Sequence, residues 1–207
     1  KRITIRYCGR HPGQKLRDSL TRKFATDSLF ADYKMGDFLN VNDALNQLDL
    51  NEGMSAAEFG CGSAVFAIAL AKILKKGRVY ALDIQEEKLS ALRGKVAQQK
   101  IINIYPILCD LEAKNGSTLK DNFLDIVLMP NILFQAENKN AIMEECKRVL
   151  KPGGQLLVID WLKKGPFSPT KILTPEEVKK IAKDTGFTFK KEFVSGDYHY
   201  CLVFIKQ

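Results

Sequence analysis

Apolar residues alternate along this chain between short unbroken runs and longer spans in which they return at helical spacing, and that alternation predicts a mixed α/β fold. Residues 24–50 read as helical: Phe24, Leu29, Phe30, Tyr33, Met35, Phe38, Leu39, Val41, Ala44, Leu45, Leu48 and Leu50 fall roughly on one helical face, and Asn51, Glu52 and Gly53 end the region. A first strand is expected over 54–59 and a helix over 64–75, closed by Lys75, Lys76 and Gly77, where cations meet the negative helix end and glycine stops the turn. Strand two is 78–83, a helix with early acids Glu86 and Glu87 runs 85–99, and strand three is 101–108. Residues 111–122 are polar and contain Asn115 and Gly116, so they read as a loop or short helix.

Strand four is 123–129, ending before Pro130, and a helix over 137–149 turns Ile142, Cys146 and Val149 inward. Lys151, Pro152, Gly153 and Gly154 form a turn into strand five, 155–161. Pro166, Pro169 and Pro175 bound a loop into a helix over 174–184, opened by Thr174, Pro175, Glu176 and Glu177 and stopped by Gly186. Residues 187–195 and 199–206 read as two strands joined through Gly196 and Asp197. This terminal hairpin is more than a plain dinucleotide fold requires.

The chain has 207 residues, enough for one well-buried core, and no low-complexity linker divides it. No apolar run is long enough to cross a bilayer, and the basic start has no signal-peptide core behind it. Cys8, Cys61, Cys109, Cys146 and Cys201 are scattered, odd in number and unlike a zinc site, so a reducing cytoplasm is the expected setting and no metal is expected. The net charge of +8 is concentrated in residues 1–23, where Lys1, Arg2, Arg6, Arg10, Lys15, Arg17, Arg22 and Lys23 face one acid, Asp18. Such a basic arm suits nucleic acid or an anionic surface, or equally a solvated extension, and it lacks interleaved aromatics for base stacking.

The candidate chemistry lies at the carboxyl ends of the predicted parallel strands. Gly60 and Gly62 flank Cys61 in a turn between the first strand and helix, where backbone without Cβ can approach a ligand closely. Asp83 ends strand two, where a carboxylate can accept from both hydroxyls of a ribose or cap the next helix. Strand, glycine turn, helix, strand and acid together describe a nucleoside-binding crevice. Glu58 precedes the glycines, and a buried acid there needs either a cationic ligand group or the turn's own amides. Asp110 after strand three can accept from an exocyclic amine or cap its loop, with Ile84 and Leu111 as apolar walls for a purine. Asn131 follows strand four near the expected reactive end.

Glu58 to Ser63, Val79 to Asp83, Cys109 to Glu112, Phe123 to Val127 and Arg148 to Gly154 together resemble the class I S-adenosylmethionine-dependent methyltransferases, in particular their ubiquinone/menaquinone-biosynthesis-like small-molecule branch. The resemblance covers residues 40–206 and implies a Rossmann-like α/β fold, with a seven-stranded sheet ordered 3-2-1-4-5-7-6, strand seven antiparallel and helices on both faces. It divides the chain into a basic arm (1–23), a helical cover (24–50) and a methyltransferase core (51–207). By the same resemblance S-adenosyl-L-methionine is the cofactor: Glu58 holds its methionine portion on the loop of Gly60, Cys61 and Gly62, Asp83 binds the ribose, Ile84 and Leu111 wall the adenine, Asp110 contacts the adenine amine, and Asn131 borders the transferred methyl. Ala64 stands where the family often has a third glycine.

The implied reaction is in-line attack of an acceptor on the sulfonium methyl, for which the protein aligns the groups and excludes water. No side chain stands out as a required base. His199 is an available proton acceptor but, between Tyr198 and Tyr200 in a predicted strand, reads better as lining the substrate or the core; His11 has a weaker case. Phe30, Tyr33, Phe38, Phe134, Trp161 and Phe167 could form an apolar lid, which suggests a small organic acceptor. The alternatives are an RNA or protein methyltransferase guided by the basic arm, a cofactor-binding regulator without turnover, and a dehydrogenase. Met129, Pro130, Asn131 and Ile132 depart from the motif that favours methylation of amino groups in nucleic acid or protein.

Overall fold

A computed structural model describes residues 38–165 and 168–207. The readings of the basic arm (1–23) and of the cover up to residue 37, with Phe30 and Tyr33, and of Phe167 lie outside the described residues.

Five parallel strands build most of the sheet: β1 (Ser55–Phe59), β2 (Arg78–Asp83), β3 (Ile104–Leu108), β4 (Leu124–Pro130) and β5 (Leu150–Trp161). The closing hairpin adds β6 (Phe187–Ser195) and β7 (His199–Lys206), with β7 antiparallel to both β5 and β6. The order is β3-β2-β1-β4-β5-β7-β6, as the resemblance implies. The strand order reverses between β1 and β4, the topological switch point beside which open α/β sheets bind their ligands.

Helices cover both faces. On one lie α1 (Val41–Leu45), α2 (Val65–Ile73) and α3 (Glu86–Gln98), whose Ala44, Phe66, Leu70, Leu89 and Leu92 join Ala56, Ile126, Leu157 and Val203 of the sheet. On the other lie α4 (Lys139–Val149) and α5 (Pro175–Thr185), whose Ile142, Cys146 and Val178 pack with Val127, Leu156 and Leu202. Because both faces are covered, the central strands read as unbroken apolar runs rather than alternating ones. The four described cysteines are free thiols, and three of them are buried.

Three element boundaries differ from the sequence reading. Within the described part of the cover Phe38 is helical and Val41–Leu45 is a separate short α-helix, because Asn40 is extended and its side chain accepts from the Asp43 amide, starting a new helix. β3 begins at Ile104 because the Asn103 amide instead donates to the Ala71 and Leu74 carbonyls, closing the end of α2. The expected turn at 151–154 is a bulge within β5: Leu150 pairs with Leu124 and Gln155 with Ile126, so the intervening residues loop out, with Gly153 at φ 77°.

The start of α5 follows the sequence signal closely. Thr174 Oγ1 accepts from the Glu177 amide while the Glu177 carboxylate accepts from the Thr174 amide, a reciprocal cap that satisfies two helix-end donors. Thr174→Ala is expected to destabilise the fold by about 1 kcal/mol in urea denaturation; an unchanged midpoint would show that the cap adds nothing to α5.

Candidate active site

The turn from β1 into α2 is built around left-handed backbone. Gly60 has φ 72° and Gly62 φ 45°. A Cβ on Gly60 would stand 2.7 Å from Ile132 Cδ1, since the loop after β4 crosses there, whereas a Cβ on Gly62 would meet nothing within 4 Å. Gly60 thus admits a neighbouring loop and Gly62 faces open space. Ala64 is also left-handed, at φ 60°, which costs an alanine on the order of 1 kcal/mol relative to glycine. Its methyl is fully buried against the α2 face, an offsetting contribution of about the same size.

Ala64 caps α2 but has no side chain to receive the helix's first amides. Glu58, buried at the end of β1, does so from another element: its Oε2 accepts from the Ala67 amide at 2.8 Å. Burial pushes this carboxyl up to about 8, against the pull of the Ala67 bond, with the nearby Asp83 charge adding to the rise. Asp83, buried at the end of β2, accepts from the Gly62 amide at 2.8 Å through Oδ2 and from the Gln85 amide at 2.9 Å through Oδ1. The helix-capping reading and a ligand-binding one are compatible, since a carboxylate retains further lone pairs after accepting one bond on each oxygen. Cys61 serves through its backbone, its amide donating to Leu82 O at 2.8 Å, while burial pushes its thiol well above the usual range.

The remaining predicted cofactor residues follow the carboxyl ends of β2, β3 and β4 with different exposures. Ile84 is 46% exposed beyond Asp83, an open apolar surface at the lip, and Leu108 at the end of β3 is 56% exposed. Asp110 is exposed and its Oδ1 accepts from the Glu112 amide. Leu111 is buried in the core with Leu82 and Met143. Asn131 has φ 54°, its amide donates to Ile159 O, and its buried Oδ1 has no hydrogen-bond partner. Open space at Gly62, an apolar lip at Ile84 and spare acceptor capacity at Asp83 and Asn131 fit an adenosine-bearing ligand.

At the other side of the switch point the candidate substrate residues divide. Trp161 and His199 are register partners on β5 and β7, both buried, with ring centroids 4.8 Å apart. Phe38 packs edge-on to both, at 5.4 Å from Trp161 and 5.1 Å from His199. Phe134 lies in the short 3-10 turn Leu133–Gln135, half-buried against the core of the opposite face. Asp160, fully buried between these groups in sequence, went unnoticed there; its carboxyl is pushed up to about 6 by burial, against the amides of Trp161 and Phe134. The available signal was an acid ending an apolar strand, as Glu58 and Asp83 do.

Glu58 has a measurable consequence. Its raised value means the folded state holds a proton that the unfolded chain releases near 4.5, so its stabilising contribution is complete below that pH and is lost as pH rises towards about 8. Between about pH 6.5 and 8, above the range of Asp160, wild type should lose more stability than Glu58→Gln in paired urea titrations; parallel losses would show that Glu58 is ionised throughout.

A family of methyltransferase domains matches residues 50–197. Curated relatives include a demethylmenaquinone methyltransferase of Halalkalibacterium halodurans, 28% identical over 57% of this chain and 47% of its own length. Another is a ubiquinone/menaquinone biosynthesis C-methyltransferase of Hydrogenovibrio crunogenus, 33% identical over 58% of this chain and 47% of its own. The chain spans about half the length of the curated relatives it matches. Among solved structures, a SAM-dependent methyltransferase from Aquifex aeolicus superposes with TM-score 0.76 and 26% identity, covering 91% of this chain and 98% of that one. The [4+2]-cyclase SpnF, at TM-score 0.70, 14% identity and 80% coverage of each chain, shares the fold alone. This chain belongs to the methyltransferase-domain family and has the class I S-adenosylmethionine-dependent methyltransferase fold.

Proposed function

We propose that this protein transfers a methyl group from S-adenosyl-L-methionine to a small organic acceptor of quinone type. The observation that carries the reading is the meeting, at one end of the sheet, of the Gly60–Gly62 turn, the Asp83 carboxylate and the exposed Ile84 side chain. The named activities of the menaquinone and ubiquinone relatives support the quinone-type acceptor.

In this reading Asp83 accepts from the ribose hydroxyls with the lone pairs that the Gly62 and Gln85 amides leave free. Ile84 packs on the adenine, Leu111 backs that wall from the core, and Asp110 accepts from the exocyclic amine. Glu58 and the backbone of Gly60, Cys61 and Gly62 hold the methionine portion; a cationic ligand nearby draws Glu58 towards its ionised form. Asn131 turns its unpartnered oxygen to the reactive end. The cofactor supplies a methyl group already activated by a positive sulfur. The protein's own contribution is to order the groups in line and keep water out.

Among the described residues no helix is long and apolar enough to cross a membrane. A cytoplasmic setting and contact of residues 1–23 with nucleic acid or an anionic surface remain proposals from sequence.

Calorimetric titration with S-adenosylmethionine, with nicotinamide dinucleotides as controls, tests the cofactor. Asp83→Ala should weaken binding at least about tenfold with the circular dichroism spectrum retained; unchanged affinity would remove Asp83 from the site. Transfer of labelled methyl to a panel of demethylated quinols then tests the acceptor, and turnover confined to RNA or protein would overturn the small-molecule reading.

A further inference from the structure

Among the described residues, the buried side-chain polar atoms without a hydrogen-bond partner are Asn131 Oδ1, Asp160 Oδ2, Trp161 Nε1 and His199 Nε2. All four stand at the same end of the sheet, just after β4, at the end of β5 and at the start of β7. An orphaned buried polar atom loses its hydration without compensation, and such atoms are normally paired. Asp160 and Trp161 are consecutive in β5 and project to opposite faces of the sheet, whereas Trp161 and His199 are register partners on one face, and their two ring nitrogens mark a place where a ligand completes the hydrogen bonding.

Trp161 and His199 form a chemically defined pair within this group. An indole Nε1 can only donate. His199 Nδ1 lies 3.1 Å from Phe38 O. A carbonyl oxygen only accepts, so Nδ1 carries the hydrogen and, in the neutral ring, Nε2 presents a bare lone pair. Burial lowers the histidine's affinity for a second proton, against the Phe38 carbonyl, and keeps that lone pair free. A donor and an acceptor therefore sit on register partners whose rings are tilted by 38° with centroids 4.8 Å apart, flanked by the Phe38 ring.

We propose that Trp161 and His199 form a clamp for a hydroxyl group on an aromatic methyl acceptor. Trp161 Nε1 donates to the hydroxyl oxygen and His199 Nε2 accepts its proton in a hydrogen bond, so that a single ligand oxygen serves both nitrogens. The Phe38 and Trp161 rings, packed edge-on to one another, supply one apolar surface beside the clamp for the acceptor's body. The clamp selects and orients the acceptor; no proton leaves the hydroxyl in this role. A ketone or ether lacks the donor that His199 requires, and a quaternary amine lacks the acceptor that Trp161 requires. This assignment rests on the methyltransferase reading for what the site does with the ligand, but the hydrogen-bond pairing is testable without turnover.

The test uses 2-naphthol and its methyl ether 2-methoxynaphthalene as matched probes, titrated calorimetrically into the full chain with and without saturating S-adenosylhomocysteine. The wild-type protein should prefer the naphthol by at least about tenfold, because the ether leaves the histidine lone pair unmatched. Trp161→Phe, which keeps an aromatic ring and removes the donor, and His199→Phe should each bring the preference down to about twofold or less. They should leave S-adenosylhomocysteine affinity within about twofold of wild type, since neither residue belongs to the cofactor crevice. Equal wild-type affinity for the two probes, or no naphthol binding at all, overturns the clamp and leaves an ordered water as the partner of the two nitrogens. A preference that survives in both variants overturns it as well. The wild-type comparison stands even if one variant fails to fold. Failure of S-adenosylhomocysteine to bind would instead overturn the cofactor reading, and the probe ratio measured without it still judges the clamp.

Discussion

Two carboxylate-to-amide hydrogen bonds hold the turn on which the crevice depends. Glu58 reaches from β1 to the Ala67 amide in the first turn of α2, and Asp83 reaches from β2 to the Gly62 amide, each at 2.8 Å. The backbone between them is left-handed at Gly60, Gly62 and Ala64, and α2 starts on a residue whose side chain cannot cap it. Without acceptors imported from neighbouring strands, the amides of this turn would face a buried, nearly apolar setting unpaired. The two acids are thus structural before they are functional. Asp83 also accepts from the Gln85 amide, so one acid ties the turn to the start of the next helix.

This arrangement gathers two buried acids beside the turn at the ends of β1 and β2. Glu58 is held close to neutrality by burial, and a positive centre nearby shifts it towards the ionised form. Ile84, exposed at the lip, is an apolar surface awaiting cover. Across the switch point the chemistry changes: aromatic rings from residue 38, β5 and β7 pack together, and two of them, Trp161 and His199, carry unpartnered ring nitrogens. One half of the crevice is organised by backbone and carboxylates, the other by rings and single polar atoms. A cofactor common to a family and an acceptor particular to one member would impose that division.

The elements legible in the sequence were those whose signals are local. Thr174, Pro175, Glu177 and Gly186 predicted both ends of α5, and the structure has the reciprocal cap and the left-handed stop. Arg78–Asp83 emerged as predicted because an apolar run flanked by Gly77 and an acid has few other readings. The boundaries that moved did so through side chains that bond outside their own segment. Asn103 satisfies the end of α2 and delays β3, and Asn40 starts α1 afresh inside a span of otherwise helical spacing. At 151–154 the sequence marks a break, but only pairing with β4 shows that the chain bulges and continues the strand.

By itself the sequence determined the α/β alternation, the strand order through its family resemblance, and the identity of the glycines and acids at the strand ends. Periodicity, turn chemistry and motif spacing are short-range properties that survive in one dimension. The tertiary structure alone decided that Glu58 caps α2, that Ile132 closes over Gly60, and that Asp160 is a buried acid beside the site. It also brought Phe38 against His199 and oriented the imidazole through a carbonyl 161 positions away. Which tautomer a histidine adopts, and which buried atom lacks a partner, depends on what lies across from it in space, and spacing along the chain carries no record of that.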